Sequence, residues 1–312
     1  MELRHLRYFI AVAEEGHITR AAERLGMQQP PLSQQIKAIE RELDVQLFLR
    51  KARGVELTEA GSAFLEDARA MLASLDRMVE TARRTARGEK GRLCVGVTST
   101  GSFHPLVSRA IRAFREAFPL VSLIFEECLS NELIDRLRND QMDAAFIRTS
   151  LVPAEGLVVH RLLEEPMVVA LPQTHGLAQG AADELVPLKL LSGDTFILYG
   201  PPGTGMYDAA IAACHAAGFN PRVGNLGAST QQAPRIGSTL SLVAAGLGIT
   251  FVPASLQRMS MDGVAYRRVS GNARPMTVLN LASRRQDPSA VVRNFVSLVR
   301  RQAKEIEASA GC

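Results

Sequence analysis

The sequence predicts an α/β protein in three parts: an N-terminal helix-turn-helix unit, one long linker helix, and a two-lobed α/β domain. Three observations predict it. Over residues 1–58 short helical stripes are punctuated by single glycines, residues 58–89 run without proline along one apolar seam, and from Arg92 strands and helices alternate. A length of 312 residues suits about two domains. The composition, 46% hydrophobic and 22% charged, excludes a disordered or fibrous chain.

The first helix follows from Leu3, Leu6, Phe9, Ile10 and Ala13, which recur at helical spacing and stop at Gly16. Thr19 is the expected N-cap of a short second helix that turns Ala21, Ala22 and Leu25 inward and ends at Gly26. A third helix begins almost at once, with Pro30 and Pro31 in a first turn whose amides lack partners anyway. Its buried stripe is Leu32, Ile36, Ile39 and Leu43, and the residues themselves carry no strand signal over this stretch. Two helices joined by a tight glycine turn make the helix-turn-helix plan.

The next helix is the long one. Phe64, Ala68, Met71, Leu75, Met78 and Ala82 form a heptad seam, with Leu65, Leu72 and Val79 beside it. At ~1.5 Å per residue it extends ~45 Å, and a helix of that length beside a small domain calls for a partner helix, so the seam predicts dimerisation through Phe64, Met71, Leu75 and Met78. Arg83, Arg84 and Arg87 suit its C-terminus, and Gly88 and Gly91 make a hinge. Strands are then expected at 93–97, 121–126 and 144–147, with helices near 105–117 and 131–140. A second set follows at 167–171, 196–199 and 249–252, with helices near 206–217 and 238–246, before a strand near 276–281 and a helix from Pro288.

Several function classes drop out on chemistry. No apolar run approaches the ~20 residues of a membrane span, and MELRHLRYF has no signal core, so a cytoplasmic protein without a membrane partner is expected. Cys94, Cys128, Cys214 and Cys312 lack metal-ligand spacing and read as reduced, mostly buried thiols, with no metal site. Gly200-Pro201-Pro202-Gly203-Thr204-Gly205 copies the glycine spacing of a nucleotide-binding P-loop. Met206 and Tyr207 nevertheless stand where that loop needs Lys and Ser/Thr, so a P-loop enzyme is the weakest alternative. The six histidines show no catalytic spacing, and neighbouring acids such as Glu164-Glu165 face opposite sides of a strand. No enzyme is expected. Net charge is uninformative: +4 over the chain, with nine Lys/Arg against eight Asp/Glu in residues 1–58, although Arg50, Lys51 and Arg53 form one dense basic spot.

The stretch RHLRYFIAVAEEGHITRAAERLGMQQPPLSQQIKAIERELDVQLFLRKARGVELTEAG closely resembles the N-terminal domain of LysR-type transcriptional regulators. Ala21-Ala22, Leu25-Gly26, Gln29-Pro30, Leu32-Ser33, Ile36, Glu40, Leu43, Leu47-Phe48, Arg50, Leu57-Thr58 and Ala60-Gly61 match the family pattern in order. LVAAGLGITFVPAS at 242–255 is similar to the second-lobe signature of the family's effector domain, and the whole looks most like the branch responsive to benzoate or muconate in aromatic catabolism. The resemblance implies a winged helix-turn-helix at 1–58, a linker helix at 59–90 and a periplasmic-binding-protein-like domain at 91–312. Lobe 1 would take about 91–161 and 267–312, and lobe 2 about 162–266.

The same resemblance implies roles for residues. The third helix would enter the major groove with Gln29, Pro30, Pro31, Ser33, Gln34 and Lys37 leading, while Arg50 and Arg53 meet the backbone from the wing. Gln can pair with adenine, prolines can touch thymine methyls, and Ser33 and Lys37 can hold phosphates. Two departures from the family, Gln28 for a small residue and Gln34 for a frequent Arg, bear on operator preference. An effector, expected to be a small aromatic or dicarboxylic acid and the only cofactor-like molecule, would sit between the lobes against Thr100, Ser130, Arg148, Gly205, Tyr207, Pro234 and Arg235, with Phe103 and Phe146 as apolar walls. Implied partners are double-stranded promoter DNA, further copies in a homodimer or homotetramer, and RNA polymerase, with activation or repression as the output. A small-molecule-binding protein without DNA function is the other alternative, which residues 1–58 disfavour.

Overall fold

The chain divides into two units, Met1–Arg84 and Thr85–Cys312. The computed structural model describes residues 1–52, 54–148, 156–180, 184–199, 202, 205–223, 235–271 and 274–310.

In the first unit α1 (Leu3–Glu15), α2 (Ile18–Arg24) and α3 (Gln29–Leu43) pack through Leu6, Phe9, Val12, Ala21, Ala22, Leu32, Ile36 and Ile39, all buried. Alanines at 21 and 22 let α2 approach its neighbours closely. Gly16 ends α1 in the left-handed conformation at φ +60°, its amide donating to the Val12 carbonyl at 3.0 Å. The cap of α2 is His17 rather than the expected Thr19: the His17 Nδ1 accepts from the Thr19 amide at 3.3 Å, so the helix starts two residues earlier.

A hairpin follows, β1 (Phe48–Lys51) paired antiparallel with β2 (Gly54–Leu57). The residues alone gave no strand signal here because each strand has four residues, too few for an alternation to be read. Two contacts seat this wing. The Glu40 Oε1 of α3 accepts from the amides of Leu47 and Phe48 at 2.9 and 3.0 Å, and the Val55 amide donates to the Gly16 carbonyl at 2.9 Å. Gly54, at φ +128°, lies against that same carbonyl, and a Cβ there would collide with it.

The linker helix α4 covers Glu59–Ala86. Its first half corrects the expected interface: Phe64 packs edge-on to Phe9 at 4.9 Å, and Leu65, Ala68 and Leu72 join the same core, so Phe64 serves its own chain. Beyond that, Leu75 is half-buried, while Met71 and Met78 are 54% and 63% exposed with Val79 alongside.

The second unit holds β3 (Lys90–Val97), α5 (Ser99–Ser102), α6 (Pro105–Ala117), β4 (Leu120–Glu127), α7 (Ser130–Arg138) and β5 (Ala144–Ile147). Then come β6 (Leu157–Pro172), β7 (Val186–Pro187), β8 (Thr195–Phe196), α8 (Gly205–Ala216), β9 (Arg222–Val223), α9 (Ile236–Ala244), β10 (Thr250–Pro253), β11 (Val264–Ser270), β12 (Met276–Arg284) and α10 (Ala290–Ala310). The main sheet runs β4-β3-β5-β12-β6-β11-β7, with β10 also on β6. β3, β4 and β5 are parallel, and β5 is buried at every position, as a strand covered by helices on both faces should be.

One strand joins two lobes. β6 pairs with β12 along its first part and with β10 and β11 along its second, so Leu162 and Leu163 fill the first lobe's core while Met167, Val169 and Leu171 fill the second's. On the return, Val269 still belongs to the second core and Leu279 to the first, which α10 closes with Val291, Val292, Phe295 and Val299. The strand expected at 196–199 shortens to Thr195–Phe196. Among the described residues no helix is long and apolar enough to cross a membrane. Burial raises the Cys94 thiol and pushes Cys214 up to about 11, so both stay protonated; Cys312 lies outside the described residues.

Candidate DNA interface and effector cleft

Helix α3 presents two faces. Leu32, Ile36 and Ile39 are buried behind it, whereas Gln29, Pro30, Pro31, Gln34 and Lys37 are exposed and Ser33 is half-buried. The prolines fall in the first turn, where they cost no intrahelical hydrogen bond. A groove of about 540 Å³ separates α3 from the wing, and Gln29, Pro30, Ser33, Lys37 and Arg50 line it together. Gln34 and Pro31 are not among its lining residues, and Arg53 lies outside the described residues.

His17, Thr19 and Lys51 share the groove, although no motif in the sequence marks them as functional. The signal for His17 was its place directly after the Gly16 stop, the position that caps the next helix. With Nδ1 accepting from the Thr19 amide, Nε2 is the ring nitrogen left to donate. Lys51 is held by Glu56 at 3.2 Å, whereas Arg50 and Lys37 have no ion pair among the described residues.

The second site lies between the lobes of the second unit. Thr100 sits in the four-residue turn α5, 1% exposed, and its hydroxyl donates to the Met206 sulfur of the other lobe at 3.5 Å. Next to it the Ser99 side chain stands against the Tyr199 phenol, whose pKa burial raises; Glu127 and Arg235 act on that phenol from a distance. Ser130 opens α7, half-buried, and Tyr207 packs on the second core. Arg235 is exposed at the N-cap of α9, and Pro234 lies outside the described residues.

Two expected residues do different work. Phe146 is fully buried in the first lobe's core against Phe295 and walls no cleft. Arg148, 3% exposed, is ion-paired through Nη2 with Glu165 of β6, and Glu165 also accepts from the Ser255 amide at 2.9 Å and hydroxyl at 3.1 Å. Burial works against the guanidinium charge and the Glu165 carboxylate offsets it. Yet among the described residues the Arg148 Nε and Nη1 have no hydrogen-bond partner, and the side chain borders a cavity of about 280 Å³ with Gly205, Asp208, Ala209 and Thr277. His104, which caps α6 by accepting from the Leu106 amide at 3.1 Å, lies close to the same charges, and burial lowers its pKa.

Two family descriptions match this chain: "Bacterial regulatory helix-turn-helix protein, lysR family" over residues 3–62, and "LysR substrate binding domain" over residues 86–304. The chain belongs to the LysR family. It is 36% identical to the HTH-type transcriptional regulator BudR of Raoultella terrigena over 299 residues, covering 96% of this chain and 100% of BudR. It is 34% identical to AlsR of Bacillus subtilis, with both chains covered over their full lengths. Among solved structures, full-length CbnR complexed with target DNA aligns at a TM-score of 0.82 and 30% identity, over 97% of this chain and 100% of CbnR. Full-length BenM aligns at 0.58 and 30%, over 100% and 98%. This LysR-type chain is therefore a DNA-binding transcriptional regulator, and neither the family nor these relatives are enzymes.

Proposed function

We propose that the chain is a ligand-responsive regulator whose effector is a small carboxylate held between the lobes of its second unit. The observation that carries this reading is Arg148: a buried guanidinium whose Nε and Nη1 have no acceptor among the described residues, at the edge of a cavity. Buried donors without acceptors are costly, and an anionic oxygen is the acceptor that satisfies a guanidinium best. At about 280 Å³ the cavity suits a small acid. Gly205 lines it, and the adjacent Met206 meets Thr100, which stands outside the cavity on the other side of the first turn of α8. Within that class, a benzoate- or muconate-like acid follows from the resemblance to the aromatic-catabolism branch, which the similarity to CbnR and BenM supports.

On the DNA side, α3 enters the major groove of promoter DNA, with Gln29, Pro30, Pro31, Ser33, Gln34 and Lys37 against base edges and phosphates and Arg50 and Arg53 on the backbone. The exposed Met71, Met78 and Val79 stripe, with Leu75, supports a homodimer through α4, and two such dimers form a homotetramer. Effector binding shifts the population of assembly shapes, hence the bend of the promoter presented to RNA polymerase. Titration calorimetry with benzoate, salicylate, muconate and neutral phenols, on wild type and Thr100→Val, tests the carboxylate. At least one acid binds and Thr100→Val weakens it; binding by none of the acids, or no loss in the variant, removes the assignment.

A further inference from the structure

The residues expected to receive the effector are covered by the protein's own second lobe. Thr98, Ser99 and Thr100 are all buried, and the turn they form is braced by the Gly101 amide donating to the Thr98 hydroxyl at 3.3 Å. Phe103, just beyond, packs into the second lobe's core beside Val168, Ile197, Ile236 and Leu240. Tyr199 packs on that core too and meets the Ser99 side chain. Among the described residues the Thr100 hydroxyl has one hydrogen-bond partner, the Met206 sulfur.

We propose that Met206 is a built-in plug that also sets effector selectivity: its thioether occupies the Thr100 hydroxyl, and a carboxylate binds by displacing it. The inference rests on the carboxylate reading of the cleft and adds the regulation of that site. A thioether is a weak acceptor, whereas a carboxylate forms a charge-assisted hydrogen bond roughly twice as strong as a neutral one. The exchange favours an anion and gives little to a neutral phenol or alcohol. Methionine is suited to the part, because its unbranched chain rotates about three bonds and can swing aside without moving the α8 backbone. Its own anchorage opposes that swing, since Met206 is 5% exposed and belongs to the second lobe's core. Ligand affinity is then reduced by the fraction of molecules in which the plug is out.

Calorimetry on the full chain with benzoate, muconate and phenol, in wild type, Met206→Ala and Met206→Leu, tests the plug. Leucine keeps the bulk and removes the acceptor, so it also serves if the alanine variant fails to fold, which a thermal melt would show. Both variants bind benzoate or muconate at least about fivefold more tightly than wild type, and phenol gains ground relative to the acids. A gain in the alanine variant alone would leave a steric plug and overturn the hydrogen-bond exchange. Acid affinities equal to wild type in two folded variants would overturn the plug and leave the carboxylate reading standing. Binding of neither acid by any of the three proteins would overturn both.

Discussion

Glu40 fixes the wing to the recognition helix, and removing it measures how much of the DNA-binding face depends on one carboxylate. Its Oε1 accepts from the Leu47 and Phe48 amides at 2.9 and 3.0 Å, and both of those residues are buried. In Glu40→Ala the two amides lose their acceptor at the point where the chain enters β1. A hydrogen bond to a charged group contributes about 1.5–3 kcal/mol. The two share one oxygen on a half-buried side chain, so their sum is smaller than two independent bonds, and a loss of ~2–3 kcal/mol is expected. For a unit of the size of Met1–Arg84 that lowers the melting transition by ~10 °C or more. Hydrogen exchange locates the effect. The Leu47 and Phe48 amides lose protection while those of α10 do not, and the salt slope of promoter binding falls by about one unit as Arg50 loses the phosphate contact proposed for it. Glu40→Gln, which keeps a neutral acceptor, should lose about half as much. Wild-type protection at both amides in a Glu40→Ala protein with an unchanged first transition would refute the reasoning.

Three further outcomes are expected. Gln29→Ala removes ~1–3 kcal/mol of sequence discrimination in gel-shift titrations while circular dichroism stays native, because Gln29 is exposed and the stripe behind it is untouched; unchanged specificity would sink the base contact. Leu75→Asp puts a charge without a partner into the α4 interface, so sedimentation should show the dimer lost or severely weakened, whereas an unaltered oligomer would return the Met71–Met78 stripe to solvent. His104→Asn concerns pH. Burial depresses the His104 pKa in the folded state, so the unfolded chain takes up its proton first, and the stabilisation present above about pH 6.5 is lost as pH falls towards the folded pKa. Asparagine retains a capping oxygen for the Leu106 amide and does not titrate, so the slope of melting temperature below about pH 6.5 should flatten; an unchanged slope would assign it to other groups.

Local chemistry made much of this protein legible in advance. Glycine stops at 16 and 26, prolines in the first turn of α3 and apolar stripes at helical spacing depend only on residues within a turn or two, and the structure keeps each of them. The motif order around Ala21-Ala22, Gln29-Pro30 and Leu47-Phe48 was specific enough to name the family, and four of the six α3 residues it singled out, Gln29, Pro30, Ser33 and Lys37, gather with Arg50 around one groove. The four-residue wing strands and the cap on α2 escaped direct reading, since a short hairpin has no period to detect and an imidazole cap depends on ring orientation.

Only tertiary structure decided which side chains were free. A heptad cannot say whether its knobs fit the same chain or another, and packing sent Phe64 to Phe9 while leaving Met71 and Met78 outside. Sequence could place Arg148 and Thr100 after strands. Their partners, Glu165 and Met206, stand 17 and 106 residues away, and they meet because β6 crosses from one lobe into the other and α8 is brought against α5. Burial and pairing are properties of the assembled chain: they turn one expected contact into an ion pair with two donor nitrogens unpaired among the described residues, and another into a hydroxyl already taken.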